Sequence, residues 1–211
     1  MQRDEPRYAV RFSVEYPDRP LDRFSTFFRL VAAIPILIVL GAVSGGTLSW
    51  STEAGTGTAG GAGGLLIVAP LLMILFRRKY PRWWFDWNVE LLRFTNRVAV
   101  YLALMDDRYP STHEVQSVHL DVDYPDVRRD LNRWLPLVKW LLAIPHYVVL
   151  LFLWIGAVVA VIVAWFAILF TGRYPRGLFG FVEGVLRWQN RVVGYAFVLA
   201  TDRYPRFSLA A

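Results

Sequence analysis

Hydrophobic and polar positions alternate strictly in two short stretches of the chain. Val10, Phe12, Val14 and Tyr16 alternate with Arg11, Ser13 and Glu15, and Val118, Leu120, Val122 and Tyr124 alternate with His119, Asp121 and Asp123. Period-two alternation predicts half-buried strands. A lone strand leaves its backbone groups unpaired, so the two are expected to pair with each other or with the segments after the Asp-Arg-Tyr-Pro strings, in a small sheet. The opposite pattern fills two long windows. Leu30 to Phe76 and Trp140 to Gly172 contain no Lys or Arg, and Glu53 is their one acidic residue. A bilayer core needs about 20 apolar residues per helical span, and both windows meet that length. Trp140 to Gly172 would make a straight helix of about 50 Å at 1.5 Å per residue, longer than a core of about 30 Å. A helix from near Leu131 that turns around Gly156 is therefore expected, giving a helical hairpin. Pro35 and Pro145 are expected to bend the first helix of each hairpin, because proline removes a backbone donor and clashes with the preceding turn.

A third pattern follows each window. Over about Arg82 to Met105 and Arg176 to Ala200, charges fall in one narrow stripe: Arg82, Asp86, Glu90, Arg93 and Arg97, then Arg176, Glu183, Arg187 and Arg191. The other faces are rich in Trp, Phe, Leu and Val. Such helices are expected to lie in the membrane interface with the apolar side down. If they spanned, mid-bilayer charges would cost about 2.5–3.5 kcal/mol each.

These patterns occur twice. Val14-Glu15-Tyr16-Pro17 matches Val122-Asp123-Tyr124-Pro125 at an offset of 108, and Ala33-Ile34-Pro35 matches Ala143-Ile144-Pro145 at 110. Tyr80-Pro81-Arg82, Asn96-Arg97-Val98 and Tyr101 match Tyr174-Pro175-Arg176, Asn190-Arg191-Val192 and Tyr195 at 94, and Asp107-Arg108-Tyr109-Pro110 matches Asp202-Arg203-Tyr204-Pro205 at 95. Self-similarity of this kind indicates repeated units. The expected organisation is a mainly α membrane protein of two tandem repeats, 1–110 and 111–211. Each holds a short strand, a transmembrane helical hairpin (about 28–78 and about 131–172) and an amphipathic interfacial helix. The first repeat carries extra residues in a Gly-rich outer loop, 44–64.

Composition agrees with a membrane reading. Of 211 residues, 55% are hydrophobic and 19% charged, against about 25% charged in soluble domains. The net charge of +6 collects beside the apolar windows, as Arg19, Arg23 and Arg29 and as Arg128, Arg129, Arg133 and Lys139. This placement points to anionic lipid rather than nucleic acid. Basic flanks and a Lys- and Arg-free outer loop put both termini and the middle linker in the cytoplasm, with the two repeats related by an axis along the membrane normal. There is no cysteine, which excludes disulfides and thiolate chemistry. Tyr-Pro recurs at Tyr16, Tyr80, Tyr109, Tyr124, Tyr174 and Tyr204. It reads as punctuation at the membrane border, where proline ends helices and tyrosine prefers the headgroup layer.

The string Trp165-Phe166-Ala167-Ile168-Leu169-Phe170-Thr171-Gly172-Arg173-Tyr174-Pro175-Arg176-Gly177-Leu178-Phe179 resembles a signature of the bacterial membrane family called domain of unknown function 4389. Ala143-Ile144-Pro145-His146 and Thr201-Asp202-Arg203-Tyr204-Pro205 do so as well. The first repeat is looser: Arg77-Arg78-Lys79 stands for Thr-Gly-Arg, and Ile36 for His146. The resemblance implies a bacterial inner-membrane location and no established activity.

Candidate chemistry is sparse. Gly55 to Gly60 fits G-x-G-x-x-G but lacks the strand-to-helix context of a dinucleotide site. His113 and His119 fit no zinc spacing. His146, inside an apolar window, is the intramembrane polar candidate. Arg93, Asn96 and Arg97, with Arg187, Asn190 and Arg191, lie on one helical face in each repeat. They are candidates for binding lipid phosphates or a partner; pairing with Glu90 and Glu183 is the competing use. No catalytic set, metal site or cofactor site is expected. The expected function is an integral membrane scaffold or accessory module, not an enzyme. It would contact anionic lipids and a membrane protein partner or further copies of itself. The alternative is an oligomeric transporter or channel built from the hairpins.

Overall fold

The computed structural model describes residues 8–44, 48–52, 55–59, 63–111, 116–127 and 129–210. Glu53, Gly60, His113 and Arg128 lie outside them. The two alternating stretches are strands, β1 (Val10–Val14) and β4 (Val118–Val122), and they pair with each other antiparallel with Phe12 opposite Leu120 at the centre. Val10, Phe12, Val14 and Leu120 point into the core, while Ser13, His119 and Asp121 face outward. The Gly-rich stretch contains a second antiparallel ribbon, β2 (Leu48–Thr52) with β3 (Gly55–Ala59), where an irregular loop was expected.

The chain is otherwise mostly helical. α1 (Arg23–Ser44) begins at Asp22, whose carboxylate accepts from the backbone N–H groups of Phe24 and Ser25, satisfying donors that a helix start leaves open. Pro35 lies inside α1, which continues through it. α2 (Gly63–Leu72) runs into a π turn over Met73–Arg77. α3 (Arg82–Leu102) follows. In the second half come α4 (Leu135–Leu142), α5 (Ile144–Thr171) and α6 (Arg176–Ala196). Arg23–Val43 and Leu135–Thr171 are long and apolar enough to cross a membrane.

Two expectations are corrected. The turn at Gly156 does not form: α5 passes through it as one helix of 28 residues. A single glycine costs an interior helix only about 1 kcal/mol, and nothing near it supplies a stop. Gly156 instead admits the Phe181 ring, 3.3 Å from where a Cβ would stand. The break falls earlier, at Ala143, with Pro145 in the first turn of α5, where a missing N–H is harmless.

The second correction concerns α6. It is not an exposed interfacial helix but a central element. Glu183, Arg187 and Gly194 meet β1 on one side. Phe181, Trp188 and Val192 meet α4 and α5 on the other. At about 100° per residue these sets occupy opposite sides of the helix. The body is therefore layered: the β1–β4 ribbon, then α3 and α6, then α1 and α4–α5 outermost. α1 packs on α3 through Ala33, Ile36, Val98 and Tyr101. On α5, the small side chains Ala157, Ala160 and Ala164 face inward. Leu150 and Ile168 join them, while Leu151, Phe152, Ile155 and Phe170 face out.

Contacts recur in pairs at the offsets seen in the sequence, and many are reciprocal between the halves. The Tyr16 hydroxyl donates to the Tyr174 carbonyl, and Tyr124 to the Tyr80 carbonyl. Arg176 stacks over Tyr16 and Arg82 over Tyr124. Tyr80 and Tyr174 are buried, and burial pushes both phenols well above their ordinary range. Leu104 and Leu199 both take left-handed backbone at the ends of α3 and α6, φ 63° and 59°. Both side chains are buried, which offsets a conformation unfavourable for a branched residue.

Candidate functional site

The two arginine faces both reach the β1–β4 ribbon, and backbone carbonyls accept most of their hydrogen bonds. Arg187 Nε donates to the Phe12 carbonyl and Arg93 Nε to the Leu120 carbonyl, each at 2.9 Å. These carbonyls belong to the central pair of the β1–β4 ladder. Arg187 also donates to the Leu209 carbonyl and pairs with Glu183; Arg93 pairs with Glu90 at 2.5 Å. Arg97 donates to the Ser111 carbonyl, and Arg191 to the carbonyls of Ser208 and Ala210. Asn96 and Asn190 exchange amide bonds, 2.7 and 2.6 Å, both buried. The six residues therefore tie α3 and α6 to each other, to the ribbon and to the segments after the helices. A buried amide pair satisfied on both sides holds one relative placement of the two helices, since a shift would strand donors and acceptors.

His146 is fully buried. Its Nδ1 accepts from the Trp188 indole at 3.1 Å, Phe207 stacks on the ring at 4.0 Å between centroids, and Tyr204 lies at 4.8 Å. An aromatic box of this kind packs the histidine against the C-terminal segment. His119 bridges to Glu15 at 2.8 Å across the ribbon on the surface.

Among the described residues, the most deeply buried cations are two that the sequence marks only as part of a basic approach. Arg29 is 1% exposed and Lys139 is 0% exposed. Arg29 donates to the carbonyls of Tyr101 and Asp106, pairs with Asp107 and lies over the Tyr101 ring. Lys139 Nζ donates to the Thr201 carbonyl at 2.7 Å, pairs with Asp202 at 2.7 Å and lies over the Tyr195 ring. Each clamp fastens an outer helix to an Asp-Arg-Tyr-Pro string. The same carboxylates accept the backbone N–H of Asp22 and of Asn132 through their second oxygens. The signal was present in the sequence: both cations stand four residues before Ala-Ile-Pro.

Beside the second arginine face lies a cavity of about 770 Å³. Arg11, Arg187, Arg191, Arg203 and Arg206 line it, with Tyr8 at one side. Burial, reinforced by Arg187 and Arg206, pulls the Arg191 guanidinium below its ordinary range. A separate apolar groove of about 540 Å³ lies between α1 and α5, bounded by Phe27, Leu102, Ala157 and Trp165.

A family model described as a domain of unknown function (DUF4389) matches residues 134–208. The match covers α4, α5, α6 and the segment that closes over Lys139 and His146. No curated protein and no solved structure matches the chain.

Proposed function

We propose that this chain is a membrane-embedded scaffold or accessory module, built from two tandem copies of one unit. The observation that carries this reading is the uncovered outer layer. Phe24, Leu30, Val31, Ile34 and Ile38 on α1 are exposed, as are Val148, Leu151, Phe152, Ile155, Val159, Ile162, Phe166 and Phe170 on α5. Leu30 is 76% and Phe170 78% exposed. A contiguous apolar face of this kind marks an interaction surface. Its length, and the Arg and Lys residues at its ends, favour lipid as the solvent.

The layering bears on how the module sits. α5 packs along α6, and α6 carries the ribbon with Arg11, His119, Asp121 and Asp123 on its other side. If α5 stood upright through the core, the ribbon would be drawn to bilayer depth, at several kcal/mol for its charges. An arrangement with α1 and α4–α5 lying along the bilayer, apolar faces inward, keeps the ribbon in water. The reciprocal contacts then relate the two copies about an axis along the membrane normal. The basic flanks favour the cytoplasmic leaflet of a bacterial inner membrane.

The absence of cysteine makes single-cysteine variants clean reporters. Val148→Cys, Phe152→Cys, Val159→Cys and Phe170→Cys, each spin-labelled in vesicles, should report similar immersion depths. Depths that rise to the bilayer centre and fall again along α5 would establish an upright span instead. Recovery of the chain in the soluble fraction after membranes are separated would remove the membrane reading altogether.

A further inference from the structure

We propose that the cavity between β1, α6 and the C-terminal segment binds a phosphate group, presented either by a lipid headgroup or by a small soluble phosphate ester. Among the described residues, five guanidiniums line it, against Asp121 as the carboxylate in the lining. Arg11 pairs with Asp123 at 3.0 Å and Arg187 with Glu183. Arg191 is different. Its bonds run to the carbonyls of Ser208 and Ala210, and carbonyls occupy donors without neutralising charge. It stands close enough to Arg187 and Arg206 for both to disfavour its charged form. A cleft lined mainly by one sign of charge focuses the field and raises the local concentration of counter-ions. Planar guanidiniums suit phosphate, because each offers parallel N–H groups to two oxygens. The volume falls in the ordinary range for small-ligand sites, about 300–1,000 Å³.

The position of the cavity adds a second argument. Tyr204 is part of its wall and donates its hydroxyl to the Leu142 carbonyl, at the junction of α4 and α5. The cavity thus borders the point where the outer apolar helix begins, which is headgroup depth if that helix meets the bilayer as proposed above. The offset counterparts in the first half are less basic. Arg93, Arg97 and Arg108 correspond to Arg187, Arg191 and Arg203. Gln116, His119 and Ser111 stand where Tyr8, Arg11 and Arg206 stand. Only the source of the phosphate rests on the membrane reading; the recognition chemistry does not.

The full chain in phosphatidylcholine nanodiscs is titrated with glycerol phosphate and with inorganic phosphate by calorimetry. Native mass spectrometry then measures retained phosphatidylglycerol when that lipid is added. Arg203 and Arg206 are exposed, so Arg203→Gln/Arg206→Gln leaves the packed arginines in place. We expect this variant to weaken binding about tenfold or more, the scale of losing charge-assisted bonds, while Arg108→Gln changes it little. Binding of the soluble probes identifies a phosphate ester as the ligand; selective retention of phosphatidylglycerol identifies a headgroup. No binding of any of these probes, or binding unchanged in the double variant, overturns the site. If the chain does not enter nanodiscs, the membrane reading fails by itself, and the soluble titration still decides the cavity.

Discussion

The two halves of this chain share their joints and differ in what lies between them. In the second half one nearly continuous helical path, α4 and α5, runs from the Lys139 clamp to Gly172. In the first, the corresponding path is split into α1 and α2 by the Gly-rich segment with its own ribbon. Yet the clamp, the tyrosine-to-carbonyl bonds and the arginine-to-ribbon bonds occur in both. The difference teaches that the outer apolar helices tolerate interruption because the rest of the chain does not cover their far side. The polar joints do not, because each one closes on a group supplied by another part of the chain.

Breaking the joints should have the largest effect. Arg29→Met and Lys139→Met each strand a carboxylate, Asp107 or Asp202, in a nearly closed site. Removing one partner of a buried pair costs about 3–5 kcal/mol. Denaturant unfolding in detergent should give losses of that size for both, and a loss in one half only would end the equivalence of the clamps. The Asn96–Asn190 exchange is next. Asn96→Leu leaves a buried amide without its partner, costing about 1–3 kcal/mol. Asn96→Leu/Asn190→Leu should cost less than the two single changes added together, so additivity in the double-mutant cycle would show that the pair acts as two independent groups.

Gly194 marks a place where the halves diverge, since its offset counterpart is Val100. A Cβ at Gly194 would stand 2.4 Å from Val10 Cγ2, so Gly194→Ala must displace the Val10 side chain or the strand that carries it. Overpacking of this kind costs about 1–3 kcal/mol, and Val10→Ala in the same chain should restore part of it in a melting experiment. The smallest effect belongs to the end of the outer path. Gly172 and its counterpart Arg78 both adopt left-handed backbone, φ 71° and 48°, a conformation that costs a residue with a side chain about 1–2 kcal/mol. Gly172→Arg should destabilise and Arg78→Gly should stabilise, each by about 1 kcal/mol or less after the chain entropy of glycine is counted. Equal melting temperatures for Arg78→Gly and the parent would mean that other contacts of Arg78 offset the strain.

Much of the local structure was legible in the chain. Alternation around Phe12 and Leu120 predicted strands that pair, and the charge stripes predicted α3 and α6 within a few residues. The apolar windows predicted the outer helices but not their course. At Gly156 the length of the window argued for a turn, while the local sequence offers no proline, Asn-Gly or polar cluster to make one. The arginine faces suggest either phosphate or the neighbouring Glu90 and Glu183 as partners, and the structure gives most of their hydrogen bonds to backbone carbonyls. Carbonyl partners come from any residue type, so no side-chain pattern announces them. Lys139 and Arg29 were hidden for a related reason: a cation beside an apolar window looks like a flank until the Asp-Arg-Tyr-Pro string closes over it.

The sequence by itself determined periodicities, the doubled strings, the charge-free windows and the positions where proline and glycine interrupt the chain, because these depend on neighbours a few residues apart. Tertiary structure alone decided that α6 is enclosed, that the outer helix passes Gly156, and that five arginines share one cavity. Those outcomes depend on contacts between separate elements, as Phe181 meets Gly156 and Arg187 meets Phe12 at a separation of 175. The burial of charge that follows is a property of the assembled layers and not of any one segment.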